Sequence, residues 1–371
     1  MVGLGIMGLS TAAELASRGR RVIGIDRFGS GHPLTSSTGA SRSIRVAYDR
    51  PVYVDLAREA IEAWRRLEHD HGTSLLVMSG EVDLGPDRKL DALVAAMAAC
   101  DVPSRELDRR EIASTFPELR LRAGERAIVA DGGTVLAAAG MEVLMAEARS
   151  RGVDVSAPER ALALRSRPGG VTVVTDRRSI EAGQAVISAG PWTGPLIAQV
   201  GMSPSLAPAI GQVTFLETAE MQGRPALSDW EAFDRAGVYG HPVPGIGYKV
   251  AFDAGSTDPW DPEATAWRPD EDEERRLLAW LGDRMPTVVP VVALTQRHPW
   301  TMTPDGDFVI DRSGPFVVAG GCAGHAFKFG PALGRLIADV VDGMPRQDLA
   351  SFALGRPSLS DPANAAAPIP R

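Results

Sequence analysis

The chain has 371 residues, more than one hydrophobic core usually serves, so two closely joined domains are expected. Its 44% hydrophobic and 23% charged residues are those of an ordinary globular protein, and no apolar run approaches the ~18 residues of a membrane span. A formal net charge of −8 argues against nucleic acid and against an anionic membrane surface as partners.

The first residues read Gly3-Leu4-Gly5-Ile6-Met7-Gly8, a GxGxxG that enters a helix marked by Leu9, Ala12, Ala13 and Ala16 and stopped at Gly19. Asp26 follows eighteen residues after the last glycine, at the end of Arg21-Val22-Ile23-Gly24-Ile25. Glycines let a backbone turn tightly and approach a pyrophosphate. The helix N-terminus offers it free N–H groups and a positive dipole end, and a carboxylate after the second strand accepts hydrogen bonds from a ribose. This is a dinucleotide-binding unit, and alone it does not tell FAD from NAD. Such a fold needs a buried strand of ~5 residues before the first glycine, yet Met1 and Val2 alone precede it. The central strand is therefore expected to be nearly absent, with a start assigned too far downstream or a trimmed chain favoured over a truly shortened strand. The segment is apolar enough to resemble a short signal peptide, but Glu14 interrupts it and its glycines have the better explanation above.

Apolar spacing predicts a helix from Tyr53 to Glu68, and Gly80-Glu81-Val82-Asp83-Leu84-Gly85-Pro86 reads as a short strand closed by a turn. Lys89 to Ala99 and Met141 to Ser150 read as helices, and Val153 to Val155, Val171 to Thr175 and Gln184 to Ser188 as strands. From about Ala207 the texture changes. Gln212 to Glu217, Val238 to His241 and Tyr248 to Phe252 are aromatic and β-branched between prolines and glycines, which predicts a mostly antiparallel region inserted into an α/β chain. Near the end, Gly320-Gly321-Cys322-Ala323-Gly324-His325-Ala326-Phe327-Lys328-Phe329 precedes a helix-patterned segment carrying Leu333, Leu336, Ile337, Val340 and Val341. Such a loop is either an ordinary tight turn or a cradle aiming N–H groups at a ligand. The Pro-, Ala- and Ser-rich stretch from Gly355 reads as a loose tail. Cys100 and Cys322 form no spaced metal set and no disulfide scaffold, which fits a reducing cytoplasm and predicts no metal site.

Several stretches occur together in a telling order: the opening GxGxxG, Gly39-Ala40-Ser41-Arg42-Ser43-Ile44-Arg45-Val46-Ala47-Tyr48, Ser188-Ala189-Gly190-Pro191-Trp192, Gly247-Tyr248-Lys249, Asp307-Phe308-Val309-Ile310-Asp311 and Gly324-His325-Ala326-Phe327-Lys328. In these the chain resembles the monomeric sarcosine oxidase and N-methyl amino acid oxidase family, within the D-amino acid oxidase superfamily of FAD enzymes. The resemblance runs from residue 3 to Arg356-Pro357, and its middle and final motifs are more specific than the first.

The resemblance implies FAD held by Gly3, Gly5, Ile6, Met7, Gly8, Asp26, Arg27, Ser41, Arg42, Ala161, Ala189, Gly190, Trp192, His298, Gly321, Gly324, His325, Phe327 and Lys328. It implies that Arg45 and Lys328 grip a substrate carboxylate, a task suited to a guanidinium fork backed by a point charge, and that Arg42 lies against the flavin. Read without it, Arg42 and Arg45 are equally a solvated helical face, three residues apart. Lys249 matches a lysine that promotes reaction with oxygen, because a fixed positive charge stabilises the anion formed by the first electron transfer. Taken alone, it is a surface lysine at a strand end.

Departures bear on the substrate more than on the reaction. The family's flavin-linking cysteine falls at His298, so the usual thioether cannot form there and non-covalent FAD is expected, with a linking imidazole as the other possibility. Asp253 stands where the family has an active-site histidine and Ala326 where it has glycine. Trp230, Tyr239 and Trp300 align with pocket residues, though each is compatible with plain core.

The expected fold class is α/β: a Rossmann-like FAD-binding domain with an inserted substrate domain built on a mostly antiparallel β-sheet. The FAD domain is assigned to residues 1–76, 136–206 and 297–355, the substrate domain to 77–135 and 207–296, and a loose tail to 356–371. The expected enzyme is a cytoplasmic monomer that oxidises the C–N bond of a secondary, N-methyl or cyclic amino acid or related amine to an imine. Oxygen reoxidises the cofactor, giving hydrogen peroxide. The alternatives are a dehydrogenase with another electron acceptor, against which Lys249 argues, and a flavin-fold binding protein that has lost turnover, against which Arg45, Lys249 and Lys328 argue.

Overall fold

The computed structural model describes residues 1–29, 31–218, 220–233, 236–253 and 268–359. The helix Ile6–Ser17 starts as the chain leaves extended backbone at Gly5, and it is buried between the helices Ala137–Ser150 and Gly330–Asp342. The approach to the last of these is close because two glycines face it. A Cβ on Gly330 would lie 2.4 Å from Ile6 and one on Gly334 would lie 2.7 Å from Ser10.

Beside these helices lies the dinucleotide sheet. Ile23–Ile25 pairs in parallel with Asp154–Ser156, and Ala185–Ile187 pairs in parallel with Phe316–Gly320, which is flanked antiparallel by Val309–Ser313. Val2 joins the two halves by parallel bridges to both Ile25 and Ile187. Its N–H donates to Val186 at 2.8 Å, its carbonyl accepts from Ser188 at 2.8 Å, and Gly3 donates to Ile25 at 2.9 Å. Val2 thus stands at the centre of the sheet, and these bonds carry the ladder across it.

The second layer is an eight-stranded sheet in the order Val292–Met302, Ala207–Leu216, Gly247–Phe252, Ala236–Val243, Ala226–Phe233, Glu81–Gly85, Arg126–Ala130, Arg105–Leu107. All its pairings are antiparallel except that of Ala226–Phe233 with Glu81–Gly85. One face covers a core that includes Phe116, Tyr248, Trp280 and Leu281. A three-stranded sheet of Ser41–Arg45, Gly132–Leu136 and Leu76–Val77 joins the layers.

Three expectations need correction. Ser41–Arg45 is a strand, so Arg42 and Arg45 do not share a helical face. The assigned domain boundaries at 76/77 and 135/136 pass through this three-stranded sheet, and that at 296/297 cuts Val292–Met302, because hydrogen-bonded ladders rather than composition decide where units join. The tail does not begin at 356: the Arg356 guanidinium, 7% exposed, donates to both oxygens of Asp305 at 2.6 and 2.9 Å, and Leu359 is buried. Residues 360–371 of that assignment lie outside the described residues. Among the described residues no helix is long and apolar enough to cross a membrane.

Candidate functional site

Two cavities lie close together, with Arg42 of one donating to the carbonyl of Ser36 in the other at 3.0 Å. The larger, about 270 Å³, runs from Gly3–Met7 past Asp26, Arg27, Ala161, Ala189, Gly190 and Trp192 to Gly321 and Cys322. Its floor is set by glycines. Gly3 has φ +91° and a Cβ there would sit 2.4 Å from the Ser188 carbonyl, while one on Gly8 would sit 2.0 Å from the Gly3 carbonyl. Asp26 stiffens the loop, accepting from the N–H groups of Leu4 at 2.7 Å, Phe28 at 2.9 Å and Gly29 at 3.1 Å. The Arg27 guanidinium lies 4.8 Å from the Phe28 ring and 5.2 Å from that of Trp192, so cation–π contacts hold it at the rim. A long groove floored by bare backbone at a helix N-terminus fits the pyrophosphate of a dinucleotide.

Deeper in, Ser41 gathers the next groups. Its carbonyl accepts from Lys249 Nζ at 3.0 Å and from Arg42 Nη1 at 2.7 Å, and its hydroxyl lies 3.1 Å from His241 Nε2. Arg42 also donates to the carbonyls of Ser36 at 3.0 Å and Thr38 at 2.6 Å, and its guanidinium lies 5.3 Å from the Phe327 ring. Among the described residues neither Arg42 nor Lys249 has an ion-pair partner. Burial and then the charges of Arg42 and Lys328 hold the Lys249 pKa well below that of an ordinary lysine. Burial first, then the charges of Lys249, Arg42 and Lys328 at His241 and of Arg42 and Lys249 at His298, hold both imidazoles well below the ordinary histidine pKa, and among the described residues His298 Nδ1 has no hydrogen-bond partner. A buried cationic cluster bonded to carbonyls alone is unfavourable in isolation and suits an electron-rich, anion-forming ligand.

The smaller cavity, about 70 Å³, is lined by Arg42, Arg45, Tyr48, Trp230, Tyr239, Asp253, Gly324, His325, Phe327 and Lys328 among others. Lys328 Nζ donates to the Tyr48 hydroxyl at 3.0 Å. Arg45 Nη1 donates to Ser228 Oγ at 2.6 Å and lies 3.5 Å from Glu81 Oε1. Burial opposes its charge, but Tyr48, Glu81, Asp83 and Asp253 outweigh that and raise its pKa. Asp253 Oδ1 accepts from the Gly237 N–H at 2.9 Å. The aligned groups Arg45, Lys328, Trp230, Tyr239 and Asp253 are therefore brought together. Trp300 is not among them: it packs across Gly211, whose Cβ would lie 2.1 Å from its ring, and the aromatic wall is completed by Tyr48 instead.

The FAD dependent oxidoreductase family matches residues 1–340. The chain belongs to this family. It is 30% identical to the peroxisomal sarcosine oxidase of Homo sapiens, with 97% of this chain and 96% of that protein aligned. It is also 30% identical to the monomeric sarcosine oxidase of Streptomyces avermitilis, over 92% of each. Among solved structures it is similar to NikD, an unusual amino acid oxidase essential for nikkomycin biosynthesis, at 26% identity and a TM-score of 0.82, covering 95% of both chains. The chain is thus an FAD-dependent oxidoreductase acting on the C–N bond of a small amine or amino acid, and the sarcosine oxidase-like placement read from its motifs holds.

Four groups around Arg45 and Lys328 were not singled out by the sequence. Glu81 and Asp83 were visible as alternating acids in a strand, a pattern that ordinarily points to solvent. Ser228 carried no signal. Tyr48, the last residue of the Gly39–Tyr48 stretch, received no role there.

Proposed function

We propose that this enzyme oxidises the C–N bond of a small secondary amino acid, N-methylated or cyclic, to the imine, with oxygen as the electron acceptor and hydrogen peroxide as product. The observation that carries this reading is the convergence of Arg45 and Lys328 on one small, aromatic-walled cavity beside the dinucleotide groove. FAD, when bound, accepts a hydride from the carbon next to nitrogen and passes the electrons on. Gly3, Gly5, Ile6, Met7, Gly8, Asp26 and Arg27 would hold its dinucleotide part, and Ser41, Arg42, His298 and Lys249 would contribute to the rest of its site.

Arg45 and Lys328 bind the substrate carboxylate, while Tyr48, Trp230, Tyr239 and Phe327 exclude water and fix the amine's orientation. Asp253 adds a carboxylate at the wall that favours a polar or cationic substrate side. No side chain is assigned as general base, since hydride transfer from a neutral amine requires positioning and a deprotonated nitrogen. His298, neutral and buried, is read as a packing neighbour of non-covalent FAD. A cytoplasmic monomer fits both cysteines being free thiols. The test is peroxide release on a panel of N-methyl, cyclic and primary amino acids and the matching amines without a carboxylate. Turnover confined to carboxylate-free amines would overturn the clamp.

A further inference from the structure

Directly behind the clamp, the strand Glu81–Gly85 turns two carboxylates toward Arg45. Val82 and Leu84 fill the core under the eight-stranded sheet, so Glu81 and Asp83 share the opposite face, where each is 0% exposed. Glu81 Oε1 accepts from the Ser228 hydroxyl at 2.7 Å, and that hydroxyl receives Arg45 Nη1 at 2.6 Å, so a serine relays the arginine to the acid. Asp83 Oδ1 accepts from Trp230 Nε1 at 2.9 Å. The Trp230 ring in turn lies near two cations, 4.7 Å from the Arg45 guanidinium and 4.2 Å from Lys89 Nζ. Among the described residues Glu81 Oε2 and Asp83 Oδ2 have no hydrogen-bond partner. Room for Glu81 depends on Gly132, whose Cβ would lie 2.6 Å from that of Glu81.

Two buried carboxylates two residues apart on one strand face repel each other in a region closed to water, and a shared proton removes that repulsion at least cost. Every packed element contributes to this balance. Arg45 faces the pair from the strand Ser41–Arg45, with Tyr48 and Asp253 acting on its guanidinium, Ser228 and Trp230 from the neighbouring strand, Lys89 from the helix Asp87–Ala99 and Lys328 from the C-terminal loop, while Tyr248 lies on the core side of the sheet and feels the charge of Glu81. Burial raises the pKa of both acids and Glu81 raises that of Asp83 further, against the opposing pull of Arg45. A substrate carboxylate seated on Arg45 and Lys328 brings a third anion to the same place.

We propose that Glu81 and Asp83 are positioning residues that couple occupancy of the Arg45 clamp to a proton: the pair holds one proton when a carboxylate is bound, and under alkaline conditions binding draws that proton from solvent. The inference rests on Arg45 being the carboxylate clamp. It makes affinity for carboxylate ligands fall as pH rises, independently of the ionisation of any substrate amine.

The probe is 2-furoate, a carboxylate with no amine to titrate, bound to the FAD-loaded protein. Calorimetry at about pH 8.5 in buffers of different ionisation enthalpy counts protons taken up. The parent should take up roughly half to one proton per ligand, and its affinity should fall by up to about tenfold per pH unit through the alkaline range. In Asp83→Asn, and separately in Glu81→Gln, uptake should drop toward zero and the affinity profile should flatten. No uptake in the parent, or undiminished uptake in both variants, overturns the inference while leaving the clamp intact. Binding that is absent, or unchanged in Arg45→Met, overturns the clamp itself and this inference with it.

Discussion

Lys249 Nζ donates to the carbonyl of Ser41 at 3.0 Å, the oxygen that also receives Arg42, so two buried cations are held at one point of the strand Ser41–Arg45. That placement sets Lys249 beside Arg42, which lines the smaller cavity. If its charge serves the reaction with oxygen, Lys249→Met should leave reduction by substrate within a modest factor and slow reoxidation about a hundredfold or more. A lost preorganised charge at a developing anion has roughly that effect. Since burial and neighbouring cations depress its pKa, the charge and the acceleration are present at lower pH and lost as pH rises through that depressed value. Stopped-flow mixing of reduced protein with oxygenated buffer measures this. Equal rates in parent and variant remove Lys249 from the mechanism, and slow reoxidation in the parent itself favours a dehydrogenase.

For the clamp, Arg45→Ala or Lys328→Ala should raise KM for a carboxylate substrate and slow anaerobic reduction. Truncating one partner of a buried charged contact costs about 2 to 5 kcal/mol. Arg45→Ala also leaves Glu81 and Ser228 facing an empty space, so it should lower thermal stability, whereas Lys328→Ala removes a donor to the Tyr48 hydroxyl. Unchanged reduction in both variants would mean that the substrate carries no carboxylate.

How the site was legible depends on what kind of signal each residue carried. The glycine loop and Asp26 are local: their spacing alone specifies a turn, a helix start and an acid, and the structure supplies those. Arg45, Lys249 and Lys328 were found through motif resemblance, since nothing in an isolated Arg or Lys distinguishes a buried cation from a surface one. Glu81 and Asp83 show the limit in physical terms. Alternation told that they share a face of a strand, but not that the strand lies parallel to Ala226–Phe233 with that face turned on Arg45. Trp300 failed for the same reason, because its position along the chain did not reveal that Gly211 leaves it a bed on the neighbouring strand.

His298 gives a chemical test of cofactor attachment. Its ring is buried, neutral and close to Gly39, with a Cβ on that glycine reaching to 3.4 Å of Cε1. Acid precipitation should therefore release the yellow colour to the supernatant and leave a colourless pellet. A yellow pellet that turns colourless in His298→Ala would make the imidazole a linking residue.

The last prediction concerns the segment that composition marked as a loose tail. Arg356 forks onto Asp305, Ser358 Oγ donates to Asp305 Oδ2 at 2.6 Å, and Arg356 Nη1 reaches the Phe308 carbonyl at 2.9 Å. Burial works to raise the Asp305 pKa, but the hydrogen bonds from Arg356 and Ser358 and the arginine's charge outweigh it and hold it at about 2. An unfolded aspartate titrates near ~3.9, so the folded state binds fewer protons between the two values. The stabilisation is therefore fully present above about pH 4 and lost as pH falls through about 2, and a shift of this size is worth about 2 kcal/mol. Arg356→Ala should lower the melting temperature at neutral pH by a few degrees and flatten its dependence on pH between about 4 and 2, with Arg356→Lys intermediate. Flavin fluorescence on heating reads both. A variant that melts with the parent at neutral pH and keeps its acid slope would show that residues 356–359 contribute nothing to the fold.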